Sequence, residues 1–204
     1  MKTKTSGFFW ASFTDLMISL FFIMMLLYVL TFVKLKTQQR ITEQQLNKMR
    51  EMQAAVKELP QEYFTYQSEF KRFSLNRQIQ FPSGKSDITG EYKDYLLNVG
   101  KSIESLISKL KSKYQNENIK YLIVIEGMAS VDGYSLNDEL SYQRALALAR
   151  FWKAGNVVFD PNFCELQIAG SGTGGIGRFT GTEEFKNQRF LIQIVPKIGD
   201  IEMK

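Results

Sequence analysis

Hydrophobic positions are distributed in three different ways along this chain. From Leu16 to Val33 they are nearly continuous, broken only by Ser19, Tyr28 and Thr31. With Phe8 to Asp15 the run reaches about 26 residues, against the roughly 20 a bilayer-crossing helix needs. A cleaved leader would have a shorter apolar core followed by small residues. Here large residues and then Lys34 and Lys36 follow, so an uncleaved membrane span over residues 9–33 is expected. Residues 34–62 form the second pattern. They lack Gly, are rich in Gln, Lys, Glu and Met, and are stopped at Pro60, which predicts a helical linker. Within it, Met49, Met52, Val56 and Leu59 follow a 3-4-3 spacing that fits a helix–helix pairing seam as readily as a solvated spacer. The third pattern, residues 63–204, alternates between strand and helix periods. "RQIQF", Arg77 to Phe81, reads as a strand, and Glu91 to Leu110 as a helix with Leu96, Val99, Ile103, Leu106 and Leu110 on one face. Lys120 to Gly127 reads as a strand and Leu136 to Ala154 as a helix. "ELQIAGSG" and Arg189 to Val195 read as two further strands. This order predicts an α+β sandwich with its helices on one face of a sheet.

Composition narrows the chemistry. The net charge of +5 is spread along the chain rather than clustered, so no nucleic-acid partner is expected. There is no histidine and one cysteine, Cys164. Ser-His and Cys-His nucleophile pairs and the commonest metal ligand are therefore excluded, and no paired-acid motif stands out. An enzyme, a metal centre or a cofactor is not expected. Cys164, beside the third strand, reads as a buried small hydrophobe.

Two features ask for a function. Asp15 lies near the start of the apolar run, where a carboxylate is costly. "SFTD", Ser12 to Asp15, also fits a capping box at a helix start, which would leave Asp15 in the interface with nothing to carry. The aromatic run Phe8, Phe9 and Trp10 fits an interfacial belt and argues for an earlier start. Asp15 would then lie about 7–10 Å inside at 1.5 Å per residue. Arg144 is the second feature. It stands one turn from both Leu140 and Leu148, so its guanidinium emerges beside apolar surface. There it can grip a ligand carboxylate in a two-pronged bond, or form an internal salt bridge to Asp132, Glu126 or Glu139.

"GMASVDGYSLNDELSYQRALALARF" carries Asn137, Leu140, Ser141, Arg144 and Ala145. It resembles the N-x-x-L-S-x-x-R-A signature of OmpA-like peptidoglycan-binding domains. "FPSGKSDITGEYKDYL", "LQIAGSGTGG" and "NQRFLIQI" resemble that family's first strand and helix entry, third strand with its glycine turn, and closing strand, in the right order over residues 75–196. The resemblance implies an OmpA-like α/β sandwich at 63–204 that binds peptidoglycan through Arg144, Asn137 and Leu140. The family places an acid where this chain has Ser130, in a loop one residue shorter; Asp132 is the acid that would replace it.

"FWASFTDLM" resembles the start of the single span in MotB-like stator subunits, most closely those of Zorya anti-phage defence systems. That resemblance implies a short cytoplasmic tail at 1–8, one inner-membrane span and a periplasmic C-terminal domain. It implies two copies of this chain inside a ring of a multi-span MotA-like protein, five to two, with Asp15 carrying a transported H⁺ or Na⁺. Ser19, one turn on, would help a sodium site or bond to its own backbone. A flagellar-type stator and an envelope tether without ion flux are the competing readings. The tether has no use for a membrane acid.

Overall fold

A computed structural model describes residues 6–82, 84–114 and 119–198. It divides into two compact units, Met1–Lys48 and Met49–Lys204.

The first unit is helix alone. α1 spans Ser6–Val56, and its part before Met49 includes the whole apolar run. Leu16, Phe21, Met24, Leu27 and Leu30 are all half or more exposed, because one helix cannot cover its own side chains. By length and composition it can cross a membrane. Because α1 already runs from Ser6, Ser12 is not at a helix start and the capping-box reading of Asp15 fails.

The second unit is an α+β sandwich, as expected. It begins with the last turns of α1, followed by β1 Phe64–Gln67, β2 Arg72–Leu75, α2 Gly90–Lys113 and β3 Ile119–Gly127. α3 Asn137–Ala154, β4 Cys164–Gly170, a 3₁₀ turn over Gly181–Asn187 and β5 Phe190–Ile198 complete it. The sheet order is β1-β2-β5-β3-β4. β3 and β4 are parallel, joined through α3; the other neighbours are antiparallel. The predicted face of α2 is buried throughout, and Tyr121, Ile123 and Ile125 of β3 share its core. Each such fully buried aliphatic side chain contributes about 1.5–3 kcal/mol. Trp152 closes the layer, its Nε1 donating to the Leu96 carbonyl at 2.7 Å while its ring lies over Gly100.

Two expectations are corrected. Arg77–Phe81 is not a strand. Ile79 and Phe81 do turn inward, so the alternation reported burial correctly, but the segment joins no ladder. The β1–β2 hairpin takes the sheet edge instead, β2 pairing with β5 at Phe73↔Ile192 and Ser74↔Leu191. The pairing seam is also reassigned. Met52, Val56 and Leu59 are buried in the unit's own core and Met49 is exposed, so most of the 3-4-3 stripe is spent on docking this helix end to the sandwich. Cys164 is buried as expected, its thiol pushed up to about 12 by burial.

Candidate functional site

The site forms where α3 starts against the ends of β3 and β4. Two glycines permit that approach. A Cβ on Gly127 would lie 2.1 Å from the Ser141 carbonyl oxygen, and one on Gly170 would lie 2.5 Å from the Tyr142 amide nitrogen. Ser141 ties the junction. Its hydroxyl donates to the Asp138 carbonyl at 2.7 Å and accepts from the Gly172 amide at 2.8 Å. This serine of the motif is thus a structural fastener.

One and two turns along, α3 presents Leu140 and Arg144, both buried. The Arg144 guanidinium lies 4.4 Å from the Phe81 ring centroid, within cation–π range. Its Nε donates to the Lys85 carbonyl at 3.2 Å. No ion pair joins it to any carboxylate among the described residues. Glu126, one of the acids within its sequence reach, instead pairs with Arg72 at 3.6 Å. Burial lowers the Arg144 pKa and the charge of Asp132 opposes that shift.

The loop between β3 and α3 brings Asp132 and Asn137 to the same place. Asp132 Oδ1 accepts from Asn137 Nδ2 at 3.0 Å and from the Tyr134 amide at 3.1 Å. These bonds, the Asn137 amide first, hold its carboxyl below the usual carboxylate range, with a smaller contribution from Arg144. Asn137 is buried, and its Oδ1 has no hydrogen-bond partner. Buried polar atoms without partners are rare enough that each one asks for an explanation. Val131, Tyr134 and Leu136 on the same loop are exposed and give the site an apolar rim.

Ser130 is placed differently from the rest. Its side chain is buried and accepts from Gln188 Nε2 at 2.9 Å, from the segment that leads into β5. Ser19, in the first unit, donates to the Leu16 carbonyl at 2.9 Å, the backbone bond foreseen as one of its two options. Asp15 is exposed on its helix.

Sequence reasoning missed four contributors. Phe81 reads as the end of a strand, yet it is the ring beneath Arg144. Lys85 acts through its carbonyl, which no side-chain pattern reveals. Arg178 binds the Ala129 and Gly174 carbonyls and Glu184, and Glu184 in turn accepts from the Val131 amide at 2.9 Å. Together they brace the loop that carries Asp132.

No protein-family model and no curated protein matches this chain. Solved structures do. A crystal structure described as a MotB-like protein from Desulfovibrio vulgaris is 15% identical over 82% of this chain and 99% of its own, with a TM-score of 0.45. The peptidoglycan-associated lipoprotein of Burkholderia pseudomallei is 20% identical over 58% of this chain and 88% of its own, at 0.39. The C-terminal domain of Helicobacter pylori MotB is 17% identical over 63% and 84%, at 0.38. Identities this low leave the chemistry to be argued from this chain's own residues.

Proposed function

We propose that this chain is a peptidoglycan-anchored, MotB-like subunit of an ion-driven motor in the inner membrane, of the Zorya anti-phage defence type. The observation that carries the anchoring half is Arg144, a buried guanidinium with an aromatic floor, one backbone bond and no carboxylate. Its two terminal nitrogens are suited to a carboxylate of a peptidoglycan stem. Asp132 supplies an anion for the ammonium end of a zwitterionic diamino acid, and Asn137 Oδ1 is an acceptor awaiting an N–H. Ser130, held by Gln188, leaves the charge of the missing family acid to Asp132.

The motor half rests on Asp15 in an exposed apolar helix that starts well before it. An ionised carboxylate there needs a protein-lined or hydrated path, and one helix cannot build one. The reading therefore includes two copies of this chain inside a five-membered ring of a multi-span MotA-like partner. An H⁺ or Na⁺ neutralises Asp15, which then passes the apolar wall and is recharged on release. Each charge crossing is driven by about 2.3 kcal/mol per 100 mV. The N-terminus is then cytoplasmic and the sandwich periplasmic, where Arg144 keeps the shaft from turning.

Asp15→Asn tests the motor half, because asparagine keeps the shape and loses the titratable charge. The variant should insert and assemble normally while ion flux and protection of cells from phage both disappear. Full protection at normal membrane abundance would leave only the tether. Sedimentation with purified peptidoglycan tests the other half, and Arg144→Ala should stay folded and remain in the supernatant.

A further inference from the structure

A second surface lies at the opposite end of α3 from Arg144. β4 is an edge strand, so one side of its backbone has no partner among the described strands. A groove of about 730 Å³ runs beside it, between the end of α3 and the loop 157–161. That volume falls within the roughly 300–1,000 Å³ of ligand-sized sites. Its floor is apolar, with Trp152 buried and Val158 66% exposed at the mouth.

Both faces of β4 contribute. Leu166 shares the helix-side face with buried Cys164, whereas Glu165 and its neighbour Lys120 on β3 lie on the other face. The groove therefore wraps the free edge instead of sitting on one side of the sheet. Three cations line it: Lys120, Arg150 and Lys153. None of them has an ion pair among the described residues; the groove's one acid, Glu165, is held by Lys197 at 2.8 Å and feels Lys120 only weakly, so Arg150 and Lys153 carry most of the free charge.

We propose that this edge and groove bind an extended, acidic–apolar peptide segment of a partner protein, added to the sheet beside β4. Backbone groups of the edge pair with the segment; side chains on its helix-side face enter the groove, apolar ones against Trp152 and Val158 and carboxylates at Arg150 and Lys153 of α3, while a carboxylate on the opposite face meets Lys120. The unpaired strand edge favours a peptide over a lipid chain, which has no amides to offer it. The unneutralised cations select acids and disfavour a second copy of the same basic edge.

Random eight-residue peptides displayed on phage, selected against the full chain in detergent, test this. The enriched sequences should combine Asp or Glu with Val, Ile or Leu, and synthetic copies should bind more weakly as salt rises. Arg150→Glu combined with Lys153→Glu should weaken them by about tenfold or more, as expected for lost charge-assisted contacts. Val158→Glu should also weaken them. All three positions are exposed, so the fold survives the changes. A proline in the middle of a selected peptide should abolish binding, because it removes an amide the edge needs. The proposal fails if no sequence combining acidic and apolar residues is enriched, or if the selected peptides bind the variants unchanged. It also fails if anionic vesicles, or self-association of the chain, use these residues while no peptide does.

Discussion

Two arginines in the C-terminal unit are equally buried and differently employed. Arg72, 2% exposed, is saturated: Nε donates to Gln67 at 2.9 Å, one terminal nitrogen to the Ile176 carbonyl at 2.8 Å, and the other faces Glu126 at 3.6 Å. Arg144, 3% exposed, has one backbone bond and a ring beneath it. Burying a guanidinium costs several kcal/mol unless hydrogen bonds and an opposite charge offset it. At Arg72 the chain supplies that offset from within. At Arg144 it supplies less, one carbonyl, one ring and the charge of Asp132 without an ion pair, and an acceptor on Asn137 stands unpartnered in the same site. The closed arginine belongs to the fold. The open one is the group that the proposed function gives to a ligand carboxylate.

The sharpest way to break this contrast is to remove the closed arginine. Arg72→Met should cost roughly 3–5 kcal/mol of unfolding free energy, since Glu126 is left buried without its cation. Replacing Glu126 with Leu in the same protein should recover part of that loss. Denaturant unfolding of the full chain in detergent measures both, and a loss below 1 kcal/mol would make the two sites alike.

Arg144→Ala should show the reverse behaviour. Peptidoglycan affinity should fall by roughly 1.5–3 kcal/mol, about 10- to 150-fold, the value of a charge-assisted hydrogen bond. The unfolding midpoint should barely move. If the variant unfolds, Arg144 is structural and the contrast is lost.

Asp132→Asn should weaken binding less than loss of Arg144 does, because it removes charge and leaves the loop bonds largely in place. A pH series sharpens this. The Asp132 carboxyl is held below its ordinary range by bonds made in the folded state. Its contribution to stability is complete above the unfolded carboxylate pKa of about 3.9 and is lost as pH falls through the lower native value, and the charge it offers a ligand persists down to that native value. Wild-type retention on peptidoglycan should therefore drop more steeply than that of the Asn variant in this acid window.

Ser130→Ala should have the smallest effect. It removes one neutral hydrogen bond to Gln188, worth about 1 kcal/mol of stability, and should leave affinity unchanged. A loss of binding as large as that of Arg144→Ala would return Ser130 to the ligand.

Periodicity made the architecture readable because it reports which side chains leave water. The stripe on α2, the apolar run of β3 and the continuous run in α1 are local patterns with one physical meaning each, and the elements follow them. The α+β class, the apolar N-terminal helix and the burial of Cys164 came from the chain alone. Pairing did not. "RQIQF" alternates as a strand would, but hydrogen-bond partners depend on residues far along the chain, and the sheet edge went to the hairpin at Phe64–Leu75. The stripe at Met52, Val56 and Leu59 likewise named an apolar face without naming what covers it, and the sandwich itself does.

The site divides in the same way. Spacing on one helix placed Asn137, Leu140 and Arg144 on neighbouring turns, which three to four residues per turn ensure. Whether Arg144 would be neutralised by Glu126, Glu139 or Asp132 could not be read from spacing, because each lies within reach of a long side chain. The tertiary structure gives Glu126 to Arg72, ties Asp132 to Asn137 and Tyr134, and turns Ser130 toward Gln188. The residue types and their helical register are properties of the sequence. Which charge finds which partner is decided only when distant segments are packed together, since a buried ion's partner is set by geometry across the fold.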